Sequence, residues 1–102
     1  MYVIMWEFYP KKEKVREFER LYSSEGIWAQ FFQKGEGYID TVLCIDRAEK
    51  CRYVTIDRWV SEKAHLDFRR ENLLEYEAID KRCEELTGRE ALIGCFEILT
   101  AD

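Results

Sequence analysis

Residues 2–9, Tyr-Val-Ile-Met-Trp-Glu-Phe-Tyr, are apolar at odd and even positions alike, with Glu7 the one exception. β-Branched and aromatic residues running up to Pro10 read as a strand. Successive side chains of a strand point to opposite faces, so Tyr2, Ile4, Trp6 and Phe8 share one face and Val3, Met5 and Tyr9 the other. An antiparallel sheet with one wet face alternates apolar with polar residues. This strand does not. Nor does the C-terminal segment, where Ile93, Cys95 and Leu99 oppose Leu92, Phe96 and Ile98. A sheet built from such strands needs cover on both faces.

The remaining pattern sets how much cover the chain itself provides. Lys11 to Tyr22 carries Val15, Phe18 and Tyr22 at three- and four-residue steps, the spacing of an amphipathic helix. Ser24 is placed to cap a second short helix, with Ile27, Trp28, Phe31 and Phe32 on one side and Gly35 and Gly37 at its end. Strands are expected at about Tyr38–Ile45 and Cys51–Val60, joined by a polar hairpin loop from Asp46 to Lys50. Ser61 then caps a helix carrying Ala64 and Phe68. The pattern hesitates at Arg70-Glu71-Asn72 and resumes with Leu73, Tyr76, Cys83 and Leu86. Asn72 with Glu75 resembles a capping pair that breaks the helix, and Gly88 reads as its C-terminal stop. A last strand is expected at about Ala91–Leu99. The order β-α-β-β-α-β, with right-handed crossovers, gives an α+β, ferredoxin-like antiparallel sheet with its helices on one face. The second apolar face then calls for a partner sheet, and a homodimer is the economical answer.

The chain has 102 residues, the size of one domain, and we read residues 1–102 as that domain. Sixteen Lys and Arg against 21 Asp and Glu leave a net charge of -5, which argues against nucleic acid as a partner. No apolar run approaches the roughly 18 residues of a membrane helix, so no membrane partner is expected. No signal peptide is visible at the N-terminus, and a cytoplasmic location follows as the expectation. Cys44, Cys51, Cys83 and Cys95 each sit in an apolar run, with no C-x-x-C pair and a single histidine, His65. Free thiols serving as small buried hydrophobes are expected, with no metal site.

The run Tyr53-Val54-Thr55-Ile56-Asp57-Arg58-Trp59-Val60-Ser61-Glu62-Lys63-Ala64 is similar to the strand-Trp-x-S-x-x-A-helix signature of the antibiotic biosynthesis monooxygenase family. Upstream, the spacing of Phe18, Leu21-Tyr22, Gly26-Ile27-Trp28, Phe31, Gly37-Tyr38 and Thr41 resembles one subgroup of that family. The resemblance implies a dimeric α/β barrel, made of two ferredoxin-like sheets face to face, with a cavity between sheet and helices in each subunit. It implies one of three roles. The leading one is a cofactor-independent monooxygenase that oxidises a small aromatic or polyketide-like substrate with dioxygen. The others are a non-catalytic ligand-binding or stress-related dimer, and a haem-binding or haem-degrading protein. Phe68 stands where many members place a histidine. The haem-degrading branch's iron-ligating histidine falls near Ala78, and its first-strand asparagine near Glu7, so the residues of that chemistry do not carry over.

The expected site lies between the sheet and the helix after Ser61. Trp6, Trp59, Phe68 and Tyr76 would bind a small apolar or aromatic ligand there, since flat aromatic surfaces stack on planar molecules. Core packing is the commoner role of such an aromatic stripe. His65, the only side chain that titrates near neutrality unperturbed, would stand near the mouth as a general base. Tyr22, Tyr38, Tyr53 and Tyr76 offer phenolic groups to a substrate oxygen. Glu7 and Asp57 are charges inside strand patterns. Each needs an arginine from another element, the leading reading, or faces the cavity as a base. No cofactor is expected.

Overall fold

In a computed structural model describing residues 1–101, β1 (Tyr2–Pro10) leads through a 3₁₀ turn (Lys12–Lys14) into α1 (Val15–Tyr22) and α2 (Ile27–Phe32). The hairpin β2 (Tyr38–Ile45) and β3 (Tyr53–Trp59) follows. Then come α3 (Glu62–Glu71), α4 (Leu73–Cys83), a second 3₁₀ turn (Glu84–Leu86) and β4 (Thr87–Glu97). The four strands form one antiparallel sheet in the order β2-β3-β1-β4. This is the ferredoxin-like α+β arrangement that the element order predicts. The sheet does not close on itself.

Helices cover one face only. Ile4 and Phe8 of β1 and Tyr53 and Trp59 of β3 point inward and are buried against Phe18, Leu21 and Tyr22 of α1, Trp28, Phe31 and Phe32 of α2, Phe68 of α3 and Ile79 and Cys83 of α4. Aromatic rings dominate this layer. Phe18 stacks on Tyr22 at 4.4 Å between centroids, and Phe31 meets Phe68 at 4.9 Å. On the opposite face the register aligns Val42, Ile56, Met5 and Gly94 in one row across all four strands; the Phe96 ring lies over Gly94, and no helix among the described residues covers the row. Val42 and Phe96 are 43% and 46% exposed. β1 is therefore two-sided as its sequence reads, and one side is left open; in β4 a bulge at Ile93 puts Leu92 on the same face as Cys95 rather than opposite it, because the extra residue breaks the alternation.

Local chemistry sets the boundaries, not always as the sequence reads. Ser61 caps α3, its Oγ accepting from the backbone N–H of Ala64 at 3.1 Å. The cap position of the second helix is Gly26 rather than Ser24, so it has no side-chain cap. The break at Asn72 is present, but Asn72 makes no capping pair with Glu75. Its Nδ2 instead donates to the carbonyl of Phe68 at 2.9 Å, the same carbonyl that accepts from the Asn72 backbone N–H at 3.0 Å. Gly88 is no helix stop either; it lies inside β4, which begins four residues earlier than expected. β3 begins at Tyr53 because Asp46 closes the hairpin, its Oδ1 accepting from the N–H groups of Ala48 (2.7 Å) and Glu49 (2.9 Å), and Cys51 takes a positive φ of 65° in that turn. Cys51 and Cys95 are exposed, so only Cys83 is the buried hydrophobe expected of all four.

Candidate functional site

Two bulges build the site. On β2, Tyr38 pairs with Trp59 and Asp40 with Arg58, so Ile39 has no partner. In a regular strand Tyr38 and Thr41, three residues apart, would face opposite ways; the extra residue brings both to the inner face. Their hydroxyls lie 2.7 Å apart, and the Oγ1 of Thr41 donates to Oδ1 of Asp57 at 2.7 Å. Thr41 has one hydroxyl proton, and Asp57 takes it, so the phenol of Tyr38 is the donor to Thr41. On β4, Met5 pairs with Gly94 but Trp6 with Leu92, leaving Ile93 unpaired. That shift places Glu90 opposite Phe8, on the inner face, where an unbroken strand would have put Ala91.

Between sheet and helices lies a cavity of about 70 Å³. Its walls are aromatic: Trp6 and Phe8 from β1, Tyr22 from α1, Trp28 and Phe32 from α2, and Tyr76 from α4. Its polar lining is Thr41, Thr55, Asp57 and Glu90. A water needs roughly 10–15 Å³ of such space, so the cavity has room for about five waters, or one ring with a short arm.

Asp57 is the chemically distinctive group. It is 9% exposed and has no arginine: Arg58, its neighbour on the other face, pairs with Asp40, Nε to Oδ1 at 2.7 Å. Burial pushes the Asp57 carboxyl up to about 6, the Thr41 hydrogen bond opposes that, and the charge of Asp40 adds to it. Its second oxygen, Oδ2, has no hydrogen bond among the described residues. Glu7 does find the arginine expected of it, Oε1 lying 2.8 Å from Nε of Arg52. Burial also raises the phenols of Tyr22, Tyr38 and Tyr76, keeping them protonated donors. Glu90, at the rim, is raised by partial desolvation and then by the charges of Asp80 and Glu84.

The structure brings two of the expected ligand-binding residues, Trp6 and Tyr76, to the cavity wall. Trp59 and Phe68 form the layer behind it. Trp59 is fully buried, its ring 5.9 Å from Phe32 and 5.4 Å from Phe68. His65 lies outside the lining, against Trp59 (5.3 Å) and Tyr2 (6.0 Å). Burial, and then the charge of Arg69, lower it to about 4, so it is neutral at pH 7 and a weak base. Phe8, Thr41 and Glu90 join the site without having been singled out for it. For Thr55 and Asp57 the signal was available: polar residues at every second position, between inward-facing Tyr53 and Trp59. Among the described residues no group of three or more His, Cys, Asp and Glu is arranged to hold a metal, and no helix is long and apolar enough to cross a membrane.

Known structures share this architecture. A Deinococcus radiodurans protein described as a candidate antibiotic biosynthesis monooxygenase superposes with a TM-score of 0.77 at 13% identity, covering 100% of this chain and 96% of that one. A candidate antibiotic biosynthesis monooxygenase from Nitrosomonas europaea gives 0.70 at 13% identity, with 98% and 100% covered. A variant of SnoaB, a cofactor-independent oxygenase from Streptomyces nogalater, gives 0.66 at 19% identity, with 98% and 94% covered. At these identities the likeness is one of fold. No curated protein matches the chain. The sequence model of antibiotic biosynthesis monooxygenases matches residues 1–75, which span β1 through α3 and the start of α4, and the chain belongs to that family.

Proposed function

We propose that this protein is a cofactor-independent monooxygenase acting on a small planar phenol- or enol-type substrate, as a homodimer joined through the open face of its sheet. The observation that carries the reading is Asp57: a buried carboxyl on the wall of an aromatic cavity, held at one oxygen by Thr41 and without a hydrogen bond at the other among the described residues. A base with a pKa near the working pH, in a dry site, is what ionisation of a weak carbon or phenol acid needs.

The chemistry follows from that placement. The aromatic walls sandwich the ring and exclude water. The substrate O–H or activated C–H gives its proton to Oδ2 of Asp57, which becomes neutral while Thr41 continues to donate to Oδ1. One negative charge is present before and after, so no new charge is buried. The electron-rich substrate anion passes an electron to dioxygen, and the resulting pair combines to a carbon-bound peroxide. Asp57 returns its proton to the peroxide, and loss of water from a methylene carbon leaves a carbonyl. One oxygen atom stays on the substrate and the other leaves as water. The methylene supplies all four electrons, so the balance closes without an external reductant.

Tyr76 of α4 and Glu90 of β4 lie beyond the matched segment yet line the same cavity, which supports reading residues 1–102 as one domain. The test is oxygen uptake with a panel of one- to three-ring phenols and cyclic enols that carry an activated ring methylene, wild type against Asp57→Asn. Uptake that depends on Asp57 supports the proposal. Binding of the panel without uptake would leave a ligand-binding role.

A further inference from the structure

We infer that the cavity selects its ligand by charge: it takes a single-ring arene carrying a protonated amine on a short arm, and refuses the corresponding carboxylate. The inference rests on the oxygenase reading only for the phenol end of the ligand; the charge selection stands on the lining itself.

Six aromatic side chains and two carboxyls line the cavity, and no lysine or arginine does. The two carboxyls sit at opposite ends. Asp57 pairs across the sheet with Ile4 of β1, and Glu90 with Phe8, four residues further along the same strand and on its other side. Strand geometry separates their Cα atoms by roughly 13 Å along β1 and two strand spacings across it. Both side chains reach the lining of the one cavity, so a ligand longer than a single ring can meet a carboxyl at each end.

The rim end is uniformly acidic. Glu90 lies close enough to Asp80 and Glu84 for each to repel a charge on it, and none of the three has an ion-pair partner within 4 Å among the described residues. Arg69 is stacked on Tyr76, 4.5 Å from the ring centroid, and is not part of the lining. At the floor, Asp57 is nine-tenths buried with Oδ2 unpartnered. A carboxylate ligand would enter past three like charges toward a fourth and meet no cation in the lining. An ammonium meets carboxylates at the mouth and the faces of the aromatic rings on the way in, which attract cations. A ligand with a hydroxyl on the ring and an ammonium on its arm satisfies both ends at once, its O–H donating to Oδ2 of Asp57 and its N–H groups to Glu90.

The experiment is calorimetric or tryptophan-fluorescence titration at pH 7 with a matched set: tyramine, 4-ethylphenol and 4-hydroxyphenylacetate. Tyramine is expected to bind about tenfold more tightly than 4-ethylphenol, and the carboxylate at least tenfold more weakly than that neutral compound. Glu90→Gln, a rim substitution that leaves the core untouched, should bring tyramine and 4-ethylphenol to within about twofold of each other. Equal affinity of tyramine and 4-ethylphenol for the wild type, preference for the carboxylate, no binding by any of the three, or an unchanged preference in Glu90→Gln overturns the inference. Oxygen consumption is not read here. A protein that sorts these ligands by charge yet consumes no oxygen refutes the oxygenase and keeps this site, and one that consumes oxygen without charge preference does the reverse.

Discussion

Thr41 and Asp57 face each other across β2 and β3 in register, joined by a 2.7 Å hydrogen bond from Oγ1 to Oδ1. The bond does two things. It gives the buried carboxyl one of the donors it loses on leaving water, and it fixes which oxygen stays free. Tyr38 completes the chain by donating to Thr41, so the position of Oδ2 is set by three side chains from two adjacent strands.

Replacing Asp57 by Asn should lower the oxygenation rate by about 10²- to 10⁴-fold, the usual contribution of a positioned base. The amide oxygen still accepts from Thr41, so folding should survive, and the loss should appear in kcat rather than in ligand affinity for neutral phenols. Steady-state oxygen uptake alongside a thermal melt checks both halves. A rate within threefold of wild type removes Asp57 from the mechanism.

Thr41→Val keeps the shape and removes the donor. Since that hydrogen bond favours the charged carboxylate, its loss raises the Asp57 pKa further above about 6. The wild-type rate should rise with pH through about 6, and the acid limb of the profile should move to higher pH by about one unit in the variant. A merely structural Thr41 would change stability and leave the limb where it was.

Asp57 and His65 should pull stability in opposite directions over the same pH range. The folded pKa of Asp57 is raised from 3.8 to about 6, so the native state binds the proton more tightly, and stability falls as pH rises from about 4 to 6. The folded pKa of His65 is lowered from 6.5 to about 4, so its contribution is present above 6.5 and lost as pH falls toward 4. The swings are of order 3 kcal/mol for Asp57 and about 2 kcal/mol for partly solvated His65. They largely cancel in the wild type. Denaturant titrations at pH 4.5 and 6.5 should therefore show Asp57→Asn gaining stability as pH rises and His65→Gln losing it. Parallel pH profiles in the two variants would contradict both assignments.

Much of the fold is legible in the sequence. Hydrophobic period and punctuation place β1, β2 and α3, because Pro10, Gly37 and Ser61 act locally. The open face of the sheet is legible from parity in β1, where odd and even positions are both apolar. The cavity is less so, because it depends on bulges at Ile39 and Ile93, and no residue type announces a bulge there. Counting alternation through Ile93 puts Glu90 on the wrong face. Counting it through Ile39 separates Tyr38 from Thr41. His65 draws attention by its intrinsic pKa, but a pKa says nothing about which way a helix turn points, and Ala64 and His65 lie against β3 rather than over the cavity. Asp57 was visible as a charge at an inward strand position. Its lack of an arginine was not, since Arg58 beside it finds Asp40 instead.

The entry to α2 allows no side chain. A Cβ built on Gly26 would lie 2.2 Å from the carbonyl oxygen of Leu21 and 2.6 Å from that of Arg20, both backbone atoms at the end of α1. Gly26→Ala must therefore separate α1 from α2, and with them Tyr22 from Trp28, two walls of the cavity. A loss of roughly 3 kcal/mol is expected, seen as a fall in Tm of more than about 10 °C. A melt unchanged within 2 °C would show that the two helices can part at no cost.

The open sheet face predicts the oligomer. Ile56 sits at its centre, flanked in register by Met5 and Val42, and the row continues to Gly94. A second sheet packed on this face would bury all four positions, the outcome that apolar residues on both sides of β1 demand. Ile56→Asp places a carboxylate with no partner in the middle of that contact. Burying an unpaired charge costs several kcal/mol, enough to dissociate a dimer of ordinary affinity, whereas in a monomer the same side chain points into water at little cost. Sedimentation velocity at micromolar concentration should give a dimer for the wild type and a folded monomer for Ile56→Asp, with far-UV circular dichroism unchanged between them. The cavity lies on the other side of the sheet, so the monomer should keep its affinity for neutral phenols within about threefold. A wild type that sediments as a monomer, or an Ile56→Asp protein that remains dimeric, would move the partner contact away from this face.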